Sequence, residues 1–282
     1  MKAISTAVWS HNSIASGDRE SVDDIATSQG LIVSTYVDLV QCVAEISYKN
    51  REFMPLFRGQ VEDHLTSRTR VPKSSIVPTI YRPGQGQRVL KSNLLFTRYQ
   101  ALDVAKLQLL KLIGSLPIKA DFRKSDYIDF DEIAWSVFQH YEVLPTPLID
   151  VTQSLLVACT FALANNVNQY GYVYILGLES MNPTVYFSYN SRHQLIRLMS
   201  LMPKIARRPL HQEGYLLGNF PIRRSQGSNN NLSNRMLAKF RIPTMGFWNR
   251  SYHPFQISAL LPSKDQMDSI LSSLRSQYHH LW

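Results

Sequence analysis

The chain reads as an α+β fold with a central sheet flanked by helices. Three observations predict it. Apolar residues recur at helical spacing from Leu90 to Leu116. Gly171-Tyr172-Val173-Tyr174-Ile175-Leu176-Gly177-Leu178 is a short apolar, β-branched and aromatic run bounded by polar residues, which reads as a strand. The run Phe53-Met54-Pro55-Leu56 closes in Phe57-Arg58-Gly59-Gln60, the end of a second buried strand. The 282 residues are 44% hydrophobic and 11% aromatic, enough for a sizeable core in one large domain or two small ones.

In chain order, residues 1–33 are polar and rich in Ser and Asp, and are expected to form a partly flexible arm ahead of a domain spanning 34–282. Ser34-Thr35 caps a helix carrying Tyr36, Leu39, Val40, Val43, Ala44 and Ile46. The strand ending at Arg58 follows. Residues 61–75 are polar, 76–82 are apolar but broken by Pro78, and Pro83-Gly84-Gln85-Gly86-Gln87 is a loop. After the 90–116 helix, Asp129 to Glu132 opens another helix that ends near Gln139-His140-Tyr141. Prolines extend 144–150. Thr152-Gln153-Ser154 then caps an apolar helix from Leu155 to Ala164. His211 to Leu217 reads as a strand, Ser225 to Asn234 as a mobile polar loop, Ala238 to Ile242 and Gln256 to Leu260 as late strands or short elements, and Lys264 to Tyr278 as an amphipathic closing helix.

The net charge of +9 is uneven. Residues 191–250 carry 11 Lys and Arg against a single acid, Glu213, whereas the rest is close to neutral. Such concentration is the footprint of a polyanion partner, with Arg192, Arg197, Arg207, Arg208, Arg223, Arg224 and Arg235 as candidate nucleic-acid contacts and Tyr215, Phe220 and Phe240 as interleaved aromatics. The alternative is a solvated face. Cys42 and Cys159 give neither a disulfide framework nor zinc spacing and fit a reducing compartment. The first residues make a poor secretion signal, and no apolar run approaches the roughly 20 residues that span a bilayer. A cytoplasmic protein without a membrane partner and without a bound metal is expected. Walker A, G-x-G-x-x-G, G-x-S-x-G and H-E-x-x-H patterns are not present.

Six pieces in order carry a resemblance: Phe57-Arg58-Gly59-Gln60; Ile76-Val77-Pro78-Thr79-Ile80-Tyr81-Arg82; Gln139-His140-Tyr141 with Pro145-Thr146, Leu148-Ile149-Asp150 and Thr152; Val157-Ala158 with Phe161-Ala162; Gly171-Tyr172-Val173-Tyr174; and Arg208-Pro209-Leu210-His211-Gln212-Glu213-Gly214-Tyr215. Together they resemble the FRG-domain family. The chain departs from that pattern where Glu142-Val143 replaces one glycine, Pro147 replaces arginine and Val151 replaces tryptophan.

The motif order is in turn similar to the ADP-ribosyltransferase fold, which implies a central split β-sheet and NAD as substrate. Cleaving NAD at its nicotinamide glycosidic bond passes through a cationic sugar that a carboxylate stabilises. The resemblance implies Arg58, Gly59, Gln60, Tyr81, Arg82, Tyr141 and Thr146 as NAD contacts. Glu213, Gln212 and His140 would carry the chemistry. On a strand Gln212 and Glu213 point to opposite faces, so only one of them would touch the substrate. Duller roles stand beside these. His140-Tyr141 can fill the core, Asp150 can be a structural carboxylate paired with Arg58 or Arg82, Thr146 can be a turn residue, and Glu213 can be a surface ion-pair partner. The function implied is ADP-ribosylation of nucleic acid, with RNA as expected acceptor, in a toxin or phage-defence effector restrained by an inhibitor or antitoxin protein. The alternatives are a protein-directed transferase and a catalytically silent nucleotide- or RNA-binding domain.

Overall fold

Strand-forming runs from both ends of the chain meet in one sheet. In the computed structural model, which describes residues 3–66, 70–114, 128–179, 184–203, 205–222, 224–225 and 230–282, the strands are β1 (Leu31–Ile32), β2 (Phe53–Gln60), β3 (Leu148–Thr152), β4 (Tyr170–Glu179), β5 (Val185–Ser188), β6 (His193–Arg197), β7 (Gly214–Asn219) and β8 (Met236–Pro243). Their order is β1-β8-β4-β2-β3-β7-β6-β5, antiparallel throughout except for the β1–β8 pair. The α+β expectation therefore holds, with the apolar run at 171–178 as the middle of β4.

Helices cover both faces. They are α1 (His11–Ser16), α2 (Val22–Thr27), α3 (Tyr36–Lys49), α4 (Ser92–Gly114), α5 (Asp131–His140), α6 (Leu155–Leu163), α7 (Leu198–Leu201), α8 (Arg208–His211), α9 (Ile257–Leu260) and α10 (Gln266–Tyr278). Side chains of a strand alternate between faces. Ile149, Val151, Tyr215 and Leu217 thus join one core with α1–α3 and α6, while Leu148 and Leu216 join a second core with α4, α5 and α10. Thr35, Ser154 and Asp265 cap α3, α6 and α10 by accepting backbone N–H groups of the first turn. No described helix is long and apolar enough to cross a membrane.

Two expectations differ from what is found. Residues 4–33 are packed on the sheet, with Ile4, Val8, Val22, Ile25 and Val33 buried in the first core. The reason is β8, which offers its free edge to β1 and whose buried Lys239 donates to the Ala26 carbonyl, to Ser74 and to Asp63. Residues 208–211 form a helical turn, so the predicted strand begins only at Gly214. Residues 257–260 form a short element, as expected there, and it is helical. The 115–116 end of the long helix and residues 226–229 of the predicted 225–234 loop lie outside the described residues, and Leu232–Arg235 at the end of that loop form a 3-10 turn.

One contact fixes how helix and sheet meet. A Cβ on Gly59 would lie 1.8 Å from the Ala158 carbonyl oxygen, and one on Gly171 would lie 2.3 Å from that of Ala162. Strands β2 and β4 therefore touch the backbone of α6, and only glycine allows the approach. Gly59→Ala should destabilise the fold by about 3 kcal/mol, the upper end for overpacking. Urea unfolding measures it, and an unchanged midpoint would refute the close packing.

Candidate functional site

Strands β2 and β3 share a single register pair, Phe57 with Thr152, while β2 pairs with β4 along its whole length. Beyond Phe57 the two central strands part. A cavity of about 270 Å³ lies there, lined from β2 by Arg58, Gly59 and Gln60, from β3 by Asp150, Val151 and Thr152, from the end of α5 by His140, from α6 by Val157, Ala158 and Phe161, and from the 208–214 segment by Arg208, Gln212 and Gly214. Since Gly59 faces α6, alternation turns Arg58 and Gln60 to the other face of β2. Arg58 spans the gap, donating from Nη1 to the Asp150 backbone carbonyl at 2.6 Å.

Asp150 follows the same alternation as Leu148 and so faces α5. Its Oδ1 meets His140 Nδ1 at 2.8 Å, and its Oδ2 accepts from the Gln139 amide at 3.0 Å. Withdrawal from water alone would raise its pKa. The His140 hydrogen bond and charge, Gln139 and then Arg208 outweigh that and bring it from 3.8 to about 2. The ionised carboxylate can only accept, so Nδ1 carries the shared proton and His140 turns Nε2 elsewhere. The ring is 1% exposed, and Nε2 has no partner among the described residues. Gly214 makes room for it, because a Cβ there would stand 3.3 Å from the ring's Cε1.

His140 Nε2 has company. Arg58 Nε, Gln60 Oε1 and Arg208 Nε are also buried and unpartnered among the described residues, and all four residues line this one cavity. Burial draws the Arg58 pKa below its ordinary value, with Asp150 opposing. Arg82 is drawn down to about 10, by burial and then by repulsion from Arg58. Leaving such groups unmet costs about 1–3 kcal/mol each, which a ligand of matching polarity would recover. Among the described residues no cluster of three or more His, Cys, Asp or Glu could hold a metal ion.

Residues 54–170 match the family model of the FRG domain. Over that segment the chain is similar to the FRG domain. No match is found among curated proteins or solved structures. The matched segment supplies Arg58, Gln60, His140 and Asp150, and the cavity draws Arg208, Gln212 and Gly214 from beyond it.

The cavity thus gathers Arg58, Gly59, Gln60, His140 and Gln212 from the predicted site residues, and other positions need correcting. Glu213 is exposed in a left-handed turn at φ 44 and does not line the cavity, because the strand begins one residue later. Asp150, expected as a structural carboxylate, does line it, as does Glu142. Tyr81 is buried in the second core with its hydroxyl 2.8 Å from that of Tyr99. Tyr141 is fully buried and donates to Asp265, and Thr146 donates to Gln139, so neither side chain faces the cavity. Arg82 Nε donates to the Val77 carbonyl.

The arginines do not form one basic face. Arg235 is buried, donates to the Gly177 carbonyl and stacks on Phe53. Arg224 holds Asp103 with both terminal nitrogens at 2.8 Å. Exposed Arg192 lies over Tyr189 at the β5–β6 hairpin, which is at the end of the strands away from the cavity. Arg197, Arg207 and Arg208 lie toward the cavity end, and Arg223 is outside the described residues.

The Glu142 departure also has an explanation. Helix α5 ends with Val143 N–H on the Phe138 carbonyl and Glu142 N–H on that of Gln139, and Glu142 sits at φ 53. That is a Schellman ending whose left-handed position glycine favours, as in the family pattern. Here Glu142 Oε1 lies 3.3 Å from Arg208 Nη2 at the cavity.

Two outcomes follow from this geometry. Since the folded pKa of Asp150 lies below 3.8, its pairing stabilises the protein above that pH, and the contribution disappears as pH falls from 3.8 through about 2. Plotted against pH, the urea midpoints of wild type and Asp150→Asn should converge over that window, and parallel curves would contradict the pairing. Glu142→Gly should raise stability by about 0.5–1 kcal/mol by removing the left-handed strain, read from the same midpoints.

Proposed function

We propose that the cavity binds NAD and transfers its ADP-ribose to an acceptor hydroxyl. The observation that carries this reading is the group of four buried polar atoms, on Arg58, Gln60, His140 and Arg208, without partners among the described residues around one cavity. Two guanidinium donors suit a pyrophosphate, and Gln60 Oε1 suits a ribose hydroxyl or an amide N–H. At about 270 Å³ the cavity suits one nucleoside half, leaving the remainder at the open mouth. The parting of β2 and β3 is compatible with the split sheet of ADP-ribosyltransferases.

In this reading the carboxylate facing the sugar is Asp150 in place of Glu213. Its negative charge favours the transition state in which the glycosidic C–N bond breaks and its electron pair leaves with nicotinamide. His140 Nε2 takes the acceptor's proton as the new C–O bond forms, and Asp150 holds the ring and balances the imidazolium. Arg197, Arg207 and Arg208 near this end support a nucleic-acid acceptor, with RNA as our choice. This is a narrower basis than the whole basic segment. An intracellular toxin or defence role, with a restraining partner, would be the setting for such an activity.

The test is incubation with radiolabelled NAD and either total RNA or lysate protein. We expect label in RNA. Arg58→Ala should abolish labelling, and His140→Gln should slow it by about 10²–10⁴-fold, the range for losing a general base. Glu213→Gln should leave it nearly unchanged. Label confined to protein would move the acceptor. Retained NAD binding without transfer would support a silent binding domain, and failure to bind NAD would end the proposal.

A further inference from the structure

The 207–212 segment brings Arg208 and Gln212 to the cavity, and residues 259–268 hold it from outside. His211 Nδ1 lies 2.6 Å from the Ala259 carbonyl, and Gln212 Nε2 donates to the Leu260 carbonyl at 2.9 Å. The backbone N–H groups of Arg207 and Arg208 donate to Asp265 Oδ2 at 2.9 and 2.7 Å. That same oxygen accepts the Tyr141 hydroxyl at 3.0 Å, while Oδ1 accepts the N–H groups of Met267 and Asp268 at 3.0 and 3.3 Å. Asp265 is 2% exposed, and these five donors include no cationic side chain. A buried carboxylate satisfied in this way is intolerant of rearrangement, because each displaced donor exposes its charge to an apolar surrounding.

The carboxylate therefore ties three pieces together: the start of α10, the segment that carries Arg208, and Tyr141, the neighbour of His140. Arg275 of α10 reinforces the last of these by donating to the Tyr141 carbonyl from Nε at 3.1 Å and Nη2 at 2.9 Å. The Arg208 guanidinium lies over the Tyr141 ring at 5.7 Å, so its placement follows that of the ring and of its own backbone.

We propose that Asp265 is a positioning residue of the cavity. It fixes Arg208 relative to the His140–Asp150 pair, so affinity for NAD depends on a C-terminal carboxylate that does not line the cavity and lies outside the FRG match. This rests on the reading that NAD is the ligand.

Asp265→Asn keeps the shape, removes the charge and gives the backbone N–H groups an amide that cannot satisfy them all. Hydrogen exchange on the free variant should speed up at Arg207, Arg208 and Tyr141, with the β2–β4 amides unchanged. NAD affinity, measured where circular dichroism shows the variant folded, should fall by about 10-fold or more, as for loss of a charged hydrogen bond. In an Arg208→Ala background the same substitution should cost little further affinity, because it acts through that guanidinium. Unchanged exchange at those amides overturns the proposal, as does an affinity loss that simply adds to that of Arg208→Ala. If Arg58→Ala and Arg208→Ala both leave NAD binding unaltered, the NAD reading is what fails, and the exchange result still decides whether Asp265 holds the segment.

Discussion

The bridge from the Arg58 guanidinium to the Asp150 carbonyl is the constraint on which the site depends. Where two central strands part, backbone groups lose their ladder partners in a region shielded from water, and each must be satisfied some other way. Arg58 Nη1 meets that carbonyl, and the rest of its guanidinium is left beside the opening. The gap and the cation thus require each other. Without the arginine the parted strands would bury an unmet acceptor, and without the parting the arginine would have no room in the sheet.

Around that bridge the polar groups fall into two kinds. Thr146, Gln139, Asp150 and His140 form a chain of hydrogen bonds in which the first three are satisfied within the chain. The last ends in a nitrogen with no partner among the described residues. Such a chain fixes the tautomer and direction of its terminal group, which separates a structural histidine from one prepared for a ligand. Asp63 makes the contrast, since with Lys239, Tyr174 and Ser74 it closes a network on itself.

Much of this was legible in the residues. The strand ending at Arg58, the α5 and α6 boundaries and the β4 run follow from local pattern. Non-local facts were not legible. Glu213 looked important because it is the single acid of a basic stretch, but linear charge density does not say which side chains share a face. Arg235 and Lys239 belong to that stretch and are buried. Tyr81, Tyr141 and Thr146 sit in motifs that resemble a family signature, and their hydroxyls are used by Tyr99, Asp265 and Gln139. Asp265 lay outside every motif, and its role depends on donors about 60 and 120 residues away. A signal was present at Glu142, where one residue fills the glycine position of the pattern at a helix end.

The parallel pairing of β1 with β8 joins Leu31 to Phe240. A chain emerging from the ribosome makes the first of these early and the second near the end. Helix α2, with Val22 and Ile25, therefore lacks the β8 surface it packs on until the last strand is made. Such long-range closure slows folding and leaves apolar segments open meanwhile. Chaperone demand during synthesis should fall on this early segment, although Val8, Val22, Ile25 and Ala26 end buried.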